Sequence, residues 1–327
     1  MTRLRIAVLG GDGFVGGAMV RALAASDWAV PVVVGRRRVA ATASGVERIQ
    51  ADASDATALT SALVNIDGVI NCVLGKGETI AKNADALFGI AGTRPGMRIV
   101  HTSSMAVYGA AVGDVDEDTP LAGNDWYSIA KVEAERSAAR CGNVAILRPG
   151  IVYGPAGPQW SVRIAEWLTS HRIGDLGAAG DGYCNLVHVD DVAEAALLAL
   201  RKPDAGGQAY NLSMADPPTW NAYFERYAKR LGAVPITRIS ARRLRIETKL
   251  VGPPLKVLEL VGRRLHLSTS GLPQAIPSSL LTLWRHEIRL TTQKAEQELG
   301  VRFKPLDEGL RETATAFLAA AKTGLRS

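Results

Sequence analysis

Residues 8–18 read VLGGDGFVGGA, five glycines in eleven positions, where average usage is about 7%. The stretch follows a short apolar run, RIAVL at 5–9, and precedes residues 14–25, whose apolar side chains recur at helical spacing. Strand, tight turn and helix are predicted in that order. Within the turn, Gly10, Gly13 and Gly16 form G-x-x-G-x-x-G. Glycines so spaced permit a sharp turn, close approach of backbone to a pyrophosphate and close packing of helix on strand, with the helix N-terminus facing the anion. The stretch therefore predicts a nucleotide site; Gly11 and Gly17 need no such role.

Working outward, VPVVVG at 30–35 reads as a second buried strand, with Pro31 compatible only near its start. GVINCV at 68–73, RIVHTS at 98–103 and VAILRP at 144–149 are three more, separated by helical patterns at 55–64, 79–90 and 127–141. Strands alternating with helices call for a parallel sheet covered on both faces, a doubly wound, Rossmann-type α/β fold. Ligands in such sheets lie outside the carboxyl ends of the strands. The Gly/Pro cluster YGPAGPQW at 153–160 marks a change of character, and NLVHVDDVAEAALLAL at 185–200 reads as a return to the sheet. The expected organisation is a dinucleotide-binding domain at 1–155, with 185–205 returning to it, and a smaller substrate-binding part at 156–184 and 206–327.

Composition narrows the class. At 327 residues the chain exceeds the ~250–300 at which single cores stop growing. Its 47% hydrophobic and 21% charged content is that of a soluble globular protein, not a disordered one. The N-terminal apolar run is too short for a signal peptide. Segment 265–284 lacks charged residues but contains Gly271, Pro273 and Pro277, so it reads as a loop with short helices and not a membrane span. Cys72, Cys141 and Cys184 lie far apart without paired spacing, which predicts free thiols in the cytoplasm. The five histidines show no ligand spacing, and no metal is expected.

The net charge of +6 is uneven: residues 229–264 hold ten basic residues against Glu247 and Glu259. Such a segment either recruits an anionic partner or is a solvated helix face. Without interleaved aromatics it does not read as a nucleic-acid surface. Leu255, Leu258, Val261 and Leu265 form one helical stripe there, a core face or a lid over substrate.

The end of the second strand bears on the nucleotide. An NAD site places an acid about 20 residues after the glycines to hold the ribose 2′-hydroxyl; this chain has Gly35-Arg36-Arg37-Arg38. Guanidinium groups pair with a 2′-phosphate and stack on adenine, so Arg36 and Arg37 favour NADP, with NAD possible and a solvated basic turn as the other reading. Asp52 either meets the adenine edge or caps a helix. Further on, Tyr127 and Lys131 stand four apart in YSIAK, on one helical face. A phenol of ordinary pKa near 10 is a poor base at neutral pH, and an adjacent ammonium favours its phenolate. Ser103 and Ser104, at the end of a predicted strand, offer a hydroxyl to a substrate oxygen as charge develops on it.

Together GGDGFVG, DASD, VINCV, HTSSMAVYG, DEDTPL, YSIAK, LRPGIVYGP and NLVHVDDVAEA resemble, in order and approximate spacing, the extended short-chain dehydrogenase/reductases, the NAD-dependent epimerase/dehydratase family. The likeness covers roughly residues 5–200. It implies that Tyr127 is the acid/base, that Lys131 lowers its pKa and holds the nicotinamide ribose, and that Ser104 orients the substrate oxygen. It further implies cofactor contacts from Gly10, Gly13, Phe14, Val15, Gly16, Asp52, Ala53, Val73, Leu74, Gly75 and Pro149, with Ser103 lining the nicotinamide pocket and His188 and Asp191 structural. A homodimer through the helices at 79–90 and 127–141 is also implied.

Three departures shape the expected function. Met105-Ala106 stand where the family's dehydratases carry an Asp-Glu pair, Cys184 where its nucleotide-sugar enzymes carry an arginine, and segment 74–83 is short. The expectation is an oxidoreductase interconverting a secondary alcohol and a ketone on a small-molecule substrate. An epimerase acting on a sugar derivative is the alternative, and a non-catalytic NADP sensor a third reading.

Overall fold

Continuous apolar runs suit strands buried on both faces, and all five predicted from the sequence take that form. The computed structural model describes residues 3–37, 45–252 and 274–323, together with 254, 255 and 258. Its main sheet comprises β1 (Leu4–Leu9), β2 (Ala29–Gly35), β3 (Glu47–Gln50), β4 (Gly68–Asn71), β5 (Arg98–Thr102), β6 (Val144–Pro149) and β7 (Ala209–Leu212). Their order across the sheet is β7-β6-β5-β4-β1-β2-β3, and neighbouring strands are parallel. Strand order reverses at β1, between β2 and β4, the switch point at which such sheets bind ligands. Pro31 is tolerated because it sits one residue before the β3 register begins opposite Val32.

The helices are α1 (Phe14–Ala25), α2 (Ala56–Ala62), α3 (Gly77–Thr93), α4 (Trp126–Ala138), α5 (Arg163–Thr169), α6 (Val189–Arg201) and α7 (Trp220–Leu231), followed by Ala241–Ile246, Ser279–Leu283 and Leu306–Lys322. Alternate residues of each strand feed two cores. Ala7, Leu9, Val32, Val34, Val69 and Ile99 pack under α2, α3 and α4. Ile6, Val8, Ile70, Val100 and Leu147 pack under α1 and α6. This is the doubly wound, Rossmann-type architecture that strand–helix alternation predicts.

The chain divides into two compact units. The first is Met1–Val152, Val187–Ala215 and Leu290–Phe303; the second is Tyr153–Leu186, Asp216–Arg289 and Lys304–Ser327. Two pieces expected in the substrate part, β7 and the segment Leu290–Phe303, thus belong to the sheet unit. The expected return at 185–200 supplies α6, but its short strand Leu186–His188 lies outside the seven-stranded sheet. The strand that completes the sheet, Ala-Tyr-Asn-Leu, is only four residues long and carries a buried asparagine, so no apolar run marks it.

In the second unit, Thr219 caps α7 by accepting the Ala222 N–H at 3.2 Å, and Gly232 ends the helix in the left-handed region at φ 72°. Trp220, Tyr223, Phe224 and Tyr227 fall at i, i+3, i+4 and i+7, one buried face that packs with Trp284. Part of the basic segment is already paired here: Arg238 with Asp175 at 2.7 Å and Lys229 with Glu225 at 2.6 Å. Arg38, Val261 and Leu265, and with them much of the stripe and of segment 265–284, lie outside the described residues. Among the described residues, no helix is long and apolar enough to cross a membrane.

Candidate active site

The glycine loop leaves β1 at Gly10, whose φ of +77° favours glycine. A Cβ there would stand 2.8 Å from the Cys72 carbonyl oxygen, beyond the end of β4. Gly13 donates its N–H to the Gly10 carbonyl at 3.0 Å and forms the N-cap of α1 with no side-chain cap. A Cβ on Gly16 would collide with the Gly10 carbonyl, so this glycine lets helix and strand close together. Phe14, Val15 and Gly16 form the first turn of α1, whose N–H groups and dipole make an anion cradle.

Arg36 and Arg37 follow β2 and are exposed. A third guanidinium comes from β3: Nη2 of Arg48 reaches both carboxylate oxygens of Asp12 in the glycine loop, at 2.7 and 2.8 Å. Asp52 accepts the N–H and hydroxyl of Ser54 at 2.9 and 2.7 Å. Those two bonds, aided by Arg36, hold its carboxyl below the usual range. The residue that caps α2 is Asp55, which accepts the Ala58 N–H at 2.9 Å. Ala53 is buried, and its carbonyl accepts Asn83 Nδ2 at 2.9 Å.

The expected chemical groups converge where β5 meets α4. Asp125 opens α4 with a capping box, accepting the N–H groups of Tyr127 and Ser128 at 2.9 and 2.7 Å while Ser128 Oγ accepts the Asp125 N–H at 3.0 Å. Tyr127 therefore lies in the first turn and Lys131 one turn later on the same face. Ser104 follows β5 and accepts the Ala106 N–H at 3.2 Å, with its hydroxyl near enough to the Tyr127 phenol to favour the phenolate. Burial pushes the Tyr127 phenol above its ordinary value, and the nearby Ser104 hydroxyl opposes this. Lys131 is 3% exposed, donates Nζ to the Thr102 carbonyl at 2.7 Å, and is pulled down to about 8 by burial. Its ammonium is thus turned to the backbone of β5.

Ser103 has a different setting from its neighbour. Its hydroxyl donates to Glu135, four residues beyond Lys131 on the buried face of α4. Arg148 of β6 closes on the same carboxylate, with Nε at 3.1 Å and Nη2 at 2.8 Å from Oε2, and the side chains are 7% and 2% exposed. Arg148 Nη1 donates to the Tyr108 phenol at 2.8 Å, and Tyr108 donates to Asn211 of β7 at 2.7 Å. This chain ties β5, α4, β6 and β7 together behind Ser104 and Tyr127. Sequence reading missed Glu135 and Arg148; the available signal was an arginine inside the otherwise apolar strand VAILRP.

The remaining predicted residues also stand at carboxyl ends of strands. Val73, Leu74 and Gly75 follow β4, where the Val73 N–H donates to Asn71 Oδ1 at 3.2 Å and Leu74 is exposed. Pro149 ends β6. Cys72 lies 3.5 Å from the Thr102 hydroxyl, and burial pushes its thiol up to about 11. His188 accepts the Asp190 N–H at 3.3 Å and so caps α6, a structural task. In the second unit Cys184 is wholly buried. Cys72, Cys141 and Cys184 are free.

Comparison with known proteins agrees with this geometry. The model of the NAD dependent epimerase/dehydratase family matches residues 6–213. The protein YeeZ of Escherichia coli K12 is 31% identical over 140 residues, 42% of this chain and 47% of YeeZ, so the chain spans about half the length of that relative. A 2-alkyl-3-oxoalkanoate reductase of Stenotrophomonas maltophilia is 26% identical over 240 residues, 65% of this chain and 72% of that enzyme. The solved structure of a dTDP-glucose 4,6-dehydratase from Bacillus anthracis in complex with NAD has a TM-score of 0.73 at 18% identity, covering 98% of both chains, a likeness of fold. With its model matching most of the sheet unit, the chain belongs to the NAD dependent epimerase/dehydratase family.

Proposed function

We propose that this protein is a nicotinamide-dependent oxidoreductase that interconverts a secondary alcohol and a ketone. The observation that carries the reading is the gathering of three groups at the carboxyl end of β5: Ser104 directly after the strand, the Tyr127 phenol that its hydroxyl acts on, and Lys131, buried one turn further along α4 with Nζ on the Thr102 carbonyl. A dinucleotide suits the switch-point loop: three glycines stand where a Cβ would meet backbone, and the helix N-terminus behind them has no side-chain cap. Gly10, Gly13, Phe14, Val15 and Gly16 would hold the pyrophosphate, Asp52 and Ala53 the adenine side, and Val73, Leu74, Gly75, Ser103 and Pro149 the nicotinamide side. When bound, the nicotinamide supplies or accepts the hydride.

In this reading Ser104 donates to the substrate oxygen and Tyr127 passes the proton to or from it. Lys131 holds the nicotinamide ribose and favours the phenolate, using the N–H donors that its one bond to the Thr102 carbonyl leaves over. NADP is the preferred cofactor because Arg36 and Arg37 follow β2 where an NAD site would have an acid, and NAD remains the second candidate. Three facts support reduction over the family's other reactions. Met105 and Ala106 have no proton to give a leaving hydroxyl, buried Cys184 offers no cation to a nucleotide diphosphate, and the S. maltophilia relative is named a 2-alkyl-3-oxoalkanoate reductase. In this reading α3 and α4 pair two copies into a dimer, and the three free cysteines fit a cytoplasmic location.

The test begins with denaturing the purified protein to identify any nucleotide released, then titrating the empty protein with NADPH and NADH. A panel of ketones, 2-substituted 3-oxo acids among them, is next incubated with NADPH deuterated at C4. Alcohol carrying one deuterium is the expected result. NAD(H) retained stoichiometrically, with no net transfer to any ketone, would favour epimerisation instead.

A further inference from the structure

The loop between β1 and α1 contains one charged residue, Asp12, and its place is unusual. One of its carboxylate oxygens stands 3.4 Å from where a Cβ on Gly35 would lie. Gly35 is the last residue of β2, so this carboxylate occupies the region at the end of β2 that an NAD site normally fills with an acid from the strand itself. Opposite it, Arg48 brings a guanidinium from the edge strand β3 to the same point. The contact is lopsided. Nη2 alone reaches both oxygens, while Nε is buried and has no hydrogen-bond partner. A buried donor without an acceptor costs free energy, and the planar fork that suits a phosphate or carboxylate is only partly engaged. The side chains are 15% and 38% exposed, Arg48 being the more enclosed. A pair open to solvent on the Asp12 side contributes little to stability, which leaves stabilisation of the fold a weak reason for setting Arg48 against the carboxylate beside Gly35.

We propose that Asp12 and Arg48 together select between cofactors: Asp12 accepts the adenosine 2′-hydroxyl of NAD(H), whereas Arg48, swung off Asp12, pairs with the 2′-phosphate of NADP(H) alongside Arg36. The inference rests on the nicotinamide reading above and deepens it. Asp12 repels the phosphate and Arg48 attracts it, so the pair moderates the preference that Arg36 and Arg37 set, and the protein accepts both cofactors. Neither residue is catalytic; both act at the far end of the dinucleotide.

The experiment measures dissociation constants of NADH and NADPH for wild type, Asp12→Ala, Arg48→Gln and Arg48→Lys by fluorescence titration, with circular dichroism and Tm confirming that each is folded. Asp12→Ala is expected to weaken NADH about tenfold and to tighten NADPH, because the acceptor is gone and Arg48 is released. Arg48→Gln is expected to weaken NADPH about tenfold or more and to leave NADH unchanged, with Arg48→Lys between. The proposal is overturned if each variant shifts both cofactors by the same factor or shifts neither. A wild-type protein that binds neither cofactor overturns the nicotinamide reading as well, which separates the two failures.

Discussion

The two units differ in how they use buried polarity. Around the candidate site in the sheet unit, charged and polar groups are enclosed and joined: Glu135 is held by Arg148 and Ser103, Tyr108 by Arg148 and Asn211, and the Lys131 ammonium by the Thr102 carbonyl. In the second unit the largest enclosed side chains are aromatic, with Trp220, Trp284, Tyr223 and Phe224 fully buried. There, Trp220 Nε1 and Trp284 Nε1 are buried without a hydrogen-bond partner. An interlocked polar network fixes positions, because every member loses a partner if one moves. An aromatic core fixes volume and leaves lateral freedom. The difference bears on the proposed chemistry: groups that must meet a reacting atom to within fractions of an ångström need the first kind of support.

The comparison is broken most sharply at Glu135. Removing one partner of a buried ion pair leaves the other charge stranded, so Glu135→Ala is expected to lower unfolding free energy by about 3–5 kcal/mol. Urea denaturation measures this; a loss no greater than that from an exposed ion pair would show that the network is not holding the unit together. Next comes Lys131. Its folded pKa lies near 8 against 10.5 when unfolded, so the unfolded chain binds more protons between those values and stability rises with pH across that window. The cofactor-free wild type should gain on the order of 3 kcal/mol relative to Lys131→Met between pH 8 and 10.5. Parallel stability–pH curves for the two proteins would contradict it. The smallest effect is expected in the second unit, where the Tyr227 phenol donates to the Ser161 carbonyl at 3.3 Å. Tyr227→Phe should cost only about 0.5–1.5 kcal/mol; a cost equal to that of Glu135→Ala would erase the contrast.

Legibility in the sequence follows the same division. Strands β1, β2, β4, β5 and β6 were marked by apolar runs because both their faces are buried, and α1 by a glycine before it and regular spacing within it. The placement of the candidate groups was legible for a related reason: Ser104 stands at a strand end, and the helical period alone puts Tyr127 and Lys131 on one face. Contacts between side chains on different elements left little local trace. Arg148 meets Glu135 across a strand–helix interface, and Arg48 meets Asp12 from 36 residues away. Only an out-of-place charge hinted at the first, and nothing hinted at the second. Strand β7 was hidden by its length and its buried Asn211. Ser103 and Ser104 looked equivalent as neighbours, yet the alternation of an extended chain turns one hydroxyl to Glu135 and the other to Tyr127.

The most direct test of the account is NADPH oxidation by wild type and Tyr127→Phe, each saturated with cofactor and given the same panel of ketones. Loss of positioned proton transfer predicts turnover in wild type that falls by about 10²–10⁴-fold in the variant, with NADPH affinity retained. Equal turnover in the two proteins, or oxidation of NADPH that yields no alcohol in either, would contradict the claim that Tyr127 passes a proton in ketone reduction.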